Sequence, residues 1–236
     1  MIGDSTGVVA LTEGVWVARD PVRILGMPLT TNMTLLRLAD STLLVHSPVE
    51  LTQARCAAVN ELGRVAHIYA PNLFHHLHVR GWLEAFPGAR FHGPKGLESK
   101  RPDLRVHRVH GSESESGFSD MIEEIPVAGF RLGESVLFYR PAGVLLVADL
   151  VQNVGQPVGL WPQVYTRLMG FYDRVALSRA IRWTSFSDRK AARTSLDRLL
   201  ALPFNRIVVG HGSTIDEGAR QALAEAFAWL PSASEA

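Results

Sequence analysis

One pattern constrains this chain more than any other. Three times a hydrophobic β-rich run ends and a side chain of metal-ligating type follows at once. "VAHIYAPNLFHH" ends on His75 and His76, "GVLLVAD" ends on Asp149, and "RIVVG" is followed directly by His211. Runs of β-branched residues bounded by Gly, Pro or Asp read as strands. Ligands at the ends of strands in one sheet system converge on one edge, where loops are free to shape a site. Three imidazoles and one carboxylate form a tetrahedral set suited to zinc, and suit iron or manganese with added water. Each piece alone has a plainer reading. An aspartate after a strand is often a turn or cap, and Gly-His-Gly is often only a turn. Regular packing does not account for the adjacent histidines, because neighbours on a helix point about 100° apart.

The rest of the chain supplies the sheets. "GVWVAR" (14–19), "MTLLRLA" (33–39) and "TLLVHS" (42–47) are short β-rich runs, with "DST" as a hairpin turn between the last two. A helix over 50–62 follows, with Leu51, Ala54, Ala58 and Leu62 on one side and Gly63 closing it. "RVAHIYA" (64–70) is a strand on which His67 packs. A short helix covers 79–88 and a further strand 89–93. The small, acidic stretch "GSESESGFSD" (111–120) reads as a mobile surface loop. Strands follow at 121–127, 134–140 and 143–149. Residues 160–183 read as two short helices broken near Gly170, and Ser187 caps the next helix. The last helix carries Leu223, Phe227 and Leu230 on one face. No internal linker is evident, so residues 1–236 read as a single domain.

Composition excludes several function classes. The 24 basic and 23 acidic residues leave a net charge of +1, so no strong overall field argues for nucleic acid or an anionic membrane. One cysteine, Cys56, rules out an internal disulfide and a cysteine-based zinc cluster. The N-terminus has no basic segment of signal-peptide type, and no apolar run approaches the roughly 20 residues of a membrane helix. The expectation is a cytoplasmic protein. There is no G-x-S-x-G elbow, Walker loop or G-x-G-x-x-G, so other hydrolase, nucleotide and dinucleotide chemistries lack a signal.

From the hairpin at 33–47 to the last helix, the chain resembles the metallo-β-lactamase fold superfamily. Within it, the chain is similar to a branch whose members begin the first loop with Pro-Asn and then a His-His pair. The superfamily's first motif, H-x-H-x-D-H, falls on "PNLFHH". Pro71 and Leu73 then stand where the first two histidines belong, His75 where the aspartate belongs, and His76 at the last histidine. "AGFRLG" (128–133) stands for the second motif, with Phe130 in the histidine's place. Asp149 matches the bridging aspartate and His211 the final histidine. The resemblance implies an αββα sandwich of two mixed sheets with helices on both outer faces. It also implies that one metal site is lost and the other kept, with His75, His76, Asp149 and His211 as ligands of one divalent metal. Zinc stands first, then iron or manganese.

The function this implies is a metal-dependent hydrolase with a single metal site, acting on a small ester, lactone or thioester. Asp149 is the candidate catalytic carboxylate. Trp161, Tyr165 and Arg182 are candidates for a substrate pocket, although an amphipathic helix pair burying aromatics explains each singly. The other reading is a catalytically inactive binding or regulatory protein that keeps the fold without metal. The expected partner is a small-molecule substrate, with no nucleic acid and no membrane. The sequence does not specify an oligomeric state.

Overall fold

Three strands open the chain as an antiparallel meander. β1 (Val8–Thr12) pairs with β2 (Val15–Ile24), and β2 pairs along its whole length with β3 (Met27–Arg37). The computed structural model describes residues 7–112, 117–118 and 120–231. The long hairpin turns at Leu25 and Gly26, both at positive φ, the backbone that matches the twist of two paired strands. The β-rich runs read from sequence cover only part of it. Pro21 and Pro28 hide the rest, because proline cannot donate to a ladder. Among the described residues both lie where the hairpin is an edge: β1 pairs with Val15–Ala18 and β4 with Thr34–Arg37, so neither missing donor breaks a bond.

β4 (Leu43–His46) is buried along its length and joins β3 antiparallel. The turn before it is held by Asp40, whose Oδ1 accepts from the backbone N–H and hydroxyl of Thr42. α1 (Gln53–Leu62) follows, with Thr52 capping the Arg55 N–H. Its buried residues are Arg55 and Val59 rather than the expected apolar stripe. Arg55 is drawn inward by Asp20 of β2, whose carboxylate it holds at 2.7 and 2.9 Å. β5 (Val65–Tyr69), α2 (Val79–Ala85), β6 (Arg90–Gly93), α3 (Leu97–Lys100) and β7 (Arg108–Val109) complete the first sheet. Its seven strands lie in chain order, antiparallel up to β4 and parallel from β4 to β7.

The second sheet has four strands. β8 (Ile122–Pro126) and β9 (Ser135–Tyr139) form a hairpin. β10 (Val144–Leu146) pairs antiparallel with β9 and parallel with β11 (Arg206–Val208). Between β10 and β11 come α4 (Leu160–Met169), α5 (Arg179–Thr184) and α6 (Arg189–Ala201). α7 (Ala219–Ala226) follows β11. Asp188, not Ser187, caps α6, its carboxylate accepting from Ala191 N at 2.9 Å. Of the stretch 111–120 expected to be a surface loop, residues 113–116 and 119 lie outside the described residues. Phe118 within it is buried.

The layers follow from which apolar faces meet. Leu36, Leu44 and Tyr69 of the first sheet pack against Leu137, Tyr139 and Leu146 of the second, forming the central core. Val59, Trp82 and Leu97 of α1, α2 and α3 pack on the outer face of the first sheet. Leu196 and Leu223 of α6 and α7 cover the outer face of the second. A buried sheet needs cover on each apolar face. The result is the expected αββα sandwich.

Candidate metal centre

His75, Asp149 and His211 come together where three strands end. Each offers a ligand atom, and these atoms all lie within 4.8 Å of one another; all three residues are buried. The Nε2 of His75 lies 3.5 Å from Asp149 Oδ2, and the Nε2 of His211 lies 3.5 Å from Asp149 Oδ1. Donor atoms on a tetrahedron with metal bonds of about 2.05 Å stand about 3.3 Å apart, so the spacing is that of a coordination edge.

The other ring nitrogens are engaged away from the carboxylate, and for His211 the partner fixes the tautomer. His211 Nδ1 lies 2.8 Å from the backbone oxygen of Thr30. A carbonyl only accepts, so Nδ1 carries the proton and Nε2 of the neutral ring turns a lone pair toward a carboxylate. His75 Nδ1 lies 2.7 Å from the Ser47 hydroxyl, which leaves its Nε2 aimed at the same carboxylate. Lone pairs facing a carboxylate repel unless a cation or a proton lies between them. Partners on the far nitrogens are the arrangement that orients histidine ligands in metal sites. The donor set fits one divalent metal.

The electrostatics show that this corner attracts positive charge, whether a proton or a cation. Burial raises the Asp149 carboxyl, yet the His75 and His211 imidazoles outweigh it and hold the group well below the usual carboxylate range. Burial lowers His211, and its contact with Asp149 more than reverses that, leaving it above the ordinary histidine value.

The backbone supports this corner closely. Asn32 of β3 donates to the carbonyls of Val209 and Gly212 at 2.7 and 2.8 Å, tying the first sheet to the turn that carries His211. Gly210 is needed on steric grounds, since a Cβ there would stand 2.7 Å from the Ala148 carbonyl and 2.9 Å from His75 Cε1.

Glu134 and Asn72 complete the centre, and motif reading assigned neither. The fully buried Glu134 carboxylate accepts from the N–H groups of Ala148, Asp149 and Leu150 at 2.8, 2.8 and 3.2 Å, so it shapes the turn that presents Asp149. Burial, then the nearby Asp149, raises its pKa. Asn72 donates to Asp149 and to Glu134, while its Oδ1 accepts from the N–H groups of Phe74 and His75.

The remaining sequence candidates lie elsewhere. His76 is outside the group of three: its Nδ1 sits 3.1 Å from an Arg101 guanidinium nitrogen, and its buried Nε2 has no partner among the described residues. Trp161 is tilted against Tyr165 at 5.8 Å, Tyr165 packs beside Met27 and Phe171, and Arg182 lies over the Trp229 ring at 4.3 Å. Phe130 is buried against Phe186, and Pro71 is buried, so apolar packing occupies two of the positions at which the sequence resemblance expects histidine ligands.

A second histidine group lies between the sheets, with His67 and His92 buried and His110 half-buried. His67 Nδ1 lies 2.9 Å from His92 Nε2. His110 stacks on Tyr69 at 4.4 Å, and Tyr69 donates to Glu124, which also pairs with Arg108 at 2.8 Å. Burial lowers His67 and His110 to about 4 and His92 to about 2.

No family model matches the chain, and no curated protein matches it by sequence. Solved structures do match. A metallo-β-lactamase from Pontibacter korlensis superposes with a TM-score of 0.66 at 12% identity, covering 94% of this chain and 97% of that one. The metallo-β-lactamase FIM-1 from Pseudomonas aeruginosa, in its mono-zinc form, gives 0.63 at 12% identity over 95% and 96%. The metal-soaked Flv1 flavodiiron core from Synechocystis sp. PCC6803 gives 0.65 at 14%, covering 94% of this chain and 60% of that one. With TM-scores of 0.63 to 0.66 over 94–95% of its length, the chain has the metallo-β-lactamase fold.

Proposed function

We propose that the protein is a metal-dependent hydrolase with one metal site, held by His75, Asp149 and His211 and acting on a small ester, lactone or thioester. One observation carries this reading. Two imidazoles, each with its Nδ1 engaged elsewhere, aim their Nε2 atoms at one carboxylate at 3.5 Å. Three protein ligands leave a coordination position open, the mark of a catalytic rather than a structural site. Zinc is the first expectation, with iron or manganese next.

A divalent metal bound there supplies Lewis acidity toward a carbonyl and makes a water acidic near neutral pH. The chain's own residues do the rest. Thr30 holds the His211 ring in the ligating tautomer, and Ser47 orients the His75 ring. Asn72 keeps one Asp149 oxygen fixed by a hydrogen bond, and Glu134 fixes that residue's backbone. Asp149 contributes negative charge beside two neutral histidines, so a divalent metal keeps net positive charge for an electron-rich substrate oxygen.

The mono-zinc form of FIM-1 offers a fold-level parallel for a single-metal centre. A silent binding protein is the competing reading, and the packed Phe130 supports it only for the lost site. The test is metal content by mass spectrometry on protein purified without chelator or affinity metal, beside the H75A/H211A variant. Near-stoichiometric metal that vanishes in the variant supports the reading and justifies screening esters, lactones and thioesters. No metal in either protein, even after reconstitution, overturns it.

A further inference from the structure

We propose that the outer face of α4, with the β2–β3 hairpin tip beside it, docks onto an anionic lipid surface. This does not depend on the metal reading. α4 is apolar on two sides. Its inner side, through Tyr165 and Met169, packs on Met27, Leu29 and Phe171 and is satisfied there. Its outer side is not. Leu160, Trp161, Val164 and Leu168 are spaced at helical intervals along one stripe and are 82%, 55%, 48% and 62% exposed. Val158, just before the helix, is 90% exposed, and Leu25 at the hairpin tip is 73% exposed. The tip and the stripe adjoin, since a Cβ on Gly26 would lie 4.0 Å from Trp161 Nε1. A contiguous apolar surface of this kind on a water-facing helix marks a contact.

Charge identifies the occupant. The chain as a whole carries only +1, but residues 155–183 hold four arginines and a single acid, Asp173. Arg167, Arg174 and Arg179 are exposed and crowd the C-terminal end of α4. Arg179 donates to the Leu168 carbonyl and Arg174 to that of Gly170, while Arg167 stacks on Tyr172 at 3.7 Å. Asp173 is engaged by Gln156. Arg23 lies exposed on the hairpin two residues from Leu25. An apolar stripe bearing a tryptophan and leucines and rimmed by arginines is the composition of a helix that lies in the lipid interface. A second copy suits it less well. A twofold interface would bury the arginines of both copies with only Asp173 in each patch to offset them.

Vesicle co-sedimentation of the full chain tests this. The probes are phosphatidylcholine vesicles with and without phosphatidylglycerol, at low and high salt. Binding about tenfold or more tighter to the anionic vesicles, weakened by salt, is expected from a few arginines at a charged surface. The W161E/L168E variant should lose it and keep its circular dichroism spectrum. Should that variant misfold, the milder V158S/L160S variant should still weaken binding several-fold. Equal binding to neutral vesicles, no binding, or undiminished binding by a folded variant overturns the proposal. So does sedimentation velocity showing a wild-type dimer that either variant dissolves.

Discussion

A single Asn72 amide nitrogen bridges two buried carboxylates, donating to Asp149 Oδ2 at 2.9 Å and to Glu134 Oε2 at 3.0 Å. Without it, two acids and the turn between them lose their common donor. Replacing Asn72 by Ala should cost about 2 to 4 kcal/mol, as expected when buried charged acceptors lose a partner. N72D should be worse at neutral pH, because it places a third carboxylate beside two others. Urea unfolding of the three proteins measures both steps, and an N72D variant as stable as N72A would contradict the account.

Glu134 serves backbone N–H groups rather than substrate. In E134Q one of its oxygens becomes an amide that cannot accept. The variant should lose about 1 to 3 kcal/mol in thermal unfolding, and metal affinity should fall roughly 10- to 100-fold through the loosened Asp149 turn. Titration with zinc, read by a competing chromophoric chelator, separates the second effect from the first.

The two glycines flanking His211 fail differently when changed to alanine. In G210A the new methyl meets His75 Cε1 and the Ala148 carbonyl, so metal content should fall with partial retention of the fold. In G212A the methyl would lie 2.0 Å from the Asn153 carbonyl at a φ of +93°, so the turn itself should open, with poor expression or a large drop in melting temperature. Expression, melting curves and metal content of the pair check the contrast.

A histidine placed at position 130 should not create a second metal site. Phe130 sits in the core against Phe186 at 4.8 Å between ring centroids, and an imidazole there would be buried among apolar groups. F130H should cost about 2 to 4 kcal/mol and leave the metal stoichiometry unchanged. A gain of metal would show that the core yields more readily than its packing implies.

His67, His92 and His110 should make the fold acid-labile. All three are neutral when folded, with pKa values held at about 4, about 2 and about 4 by burial. The unfolded chain takes up protons near pH 6.5 and the folded chain does not, so stability is complete above that pH and falls as the pH drops toward 4. Glu124, paired with Arg108, faces His110, and the arginine, His110 and Tyr69 hold its carboxyl below its usual range against the effect of burial. The free energy of unfolding from urea titrations at pH 7, 6 and 5 should decline steadily. A flat profile would mean that these rings gain protons without unfolding.

The strand ends were legible in sequence because β-branched runs announce buried strands and a polar residue after them announces an exit. His75, Asp149 and His211, which the structure brings together, all carry this signal. His76 carried the same signal as His75, but neighbouring residues on a loop diverge, and this one turned toward Arg101. Glu134 gave no sequence signal, since an acid before "SVLFY" looks like a solvated strand end. Its role appears only when β9 and β10 pair and the 148–150 amides converge on it. The long β2–β3 hairpin was obscured by its prolines, and Arg55 by the rule that helices bury apolar faces. Both exceptions depend on tertiary neighbours, an unpaired edge in one case and Asp20 in the other.

The three candidate ligands do not come from one sheet. His75 leaves the seven-stranded sheet after β5, while Asp149 and His211 leave the four-stranded sheet after β10 and β11. An ion held by them would act as a clasp across the mouth of the sandwich. Prying the sheets apart at this edge and releasing the ion would then be one event, so the rate at which the metal exchanges would report how often the two halves of the molecule breathe.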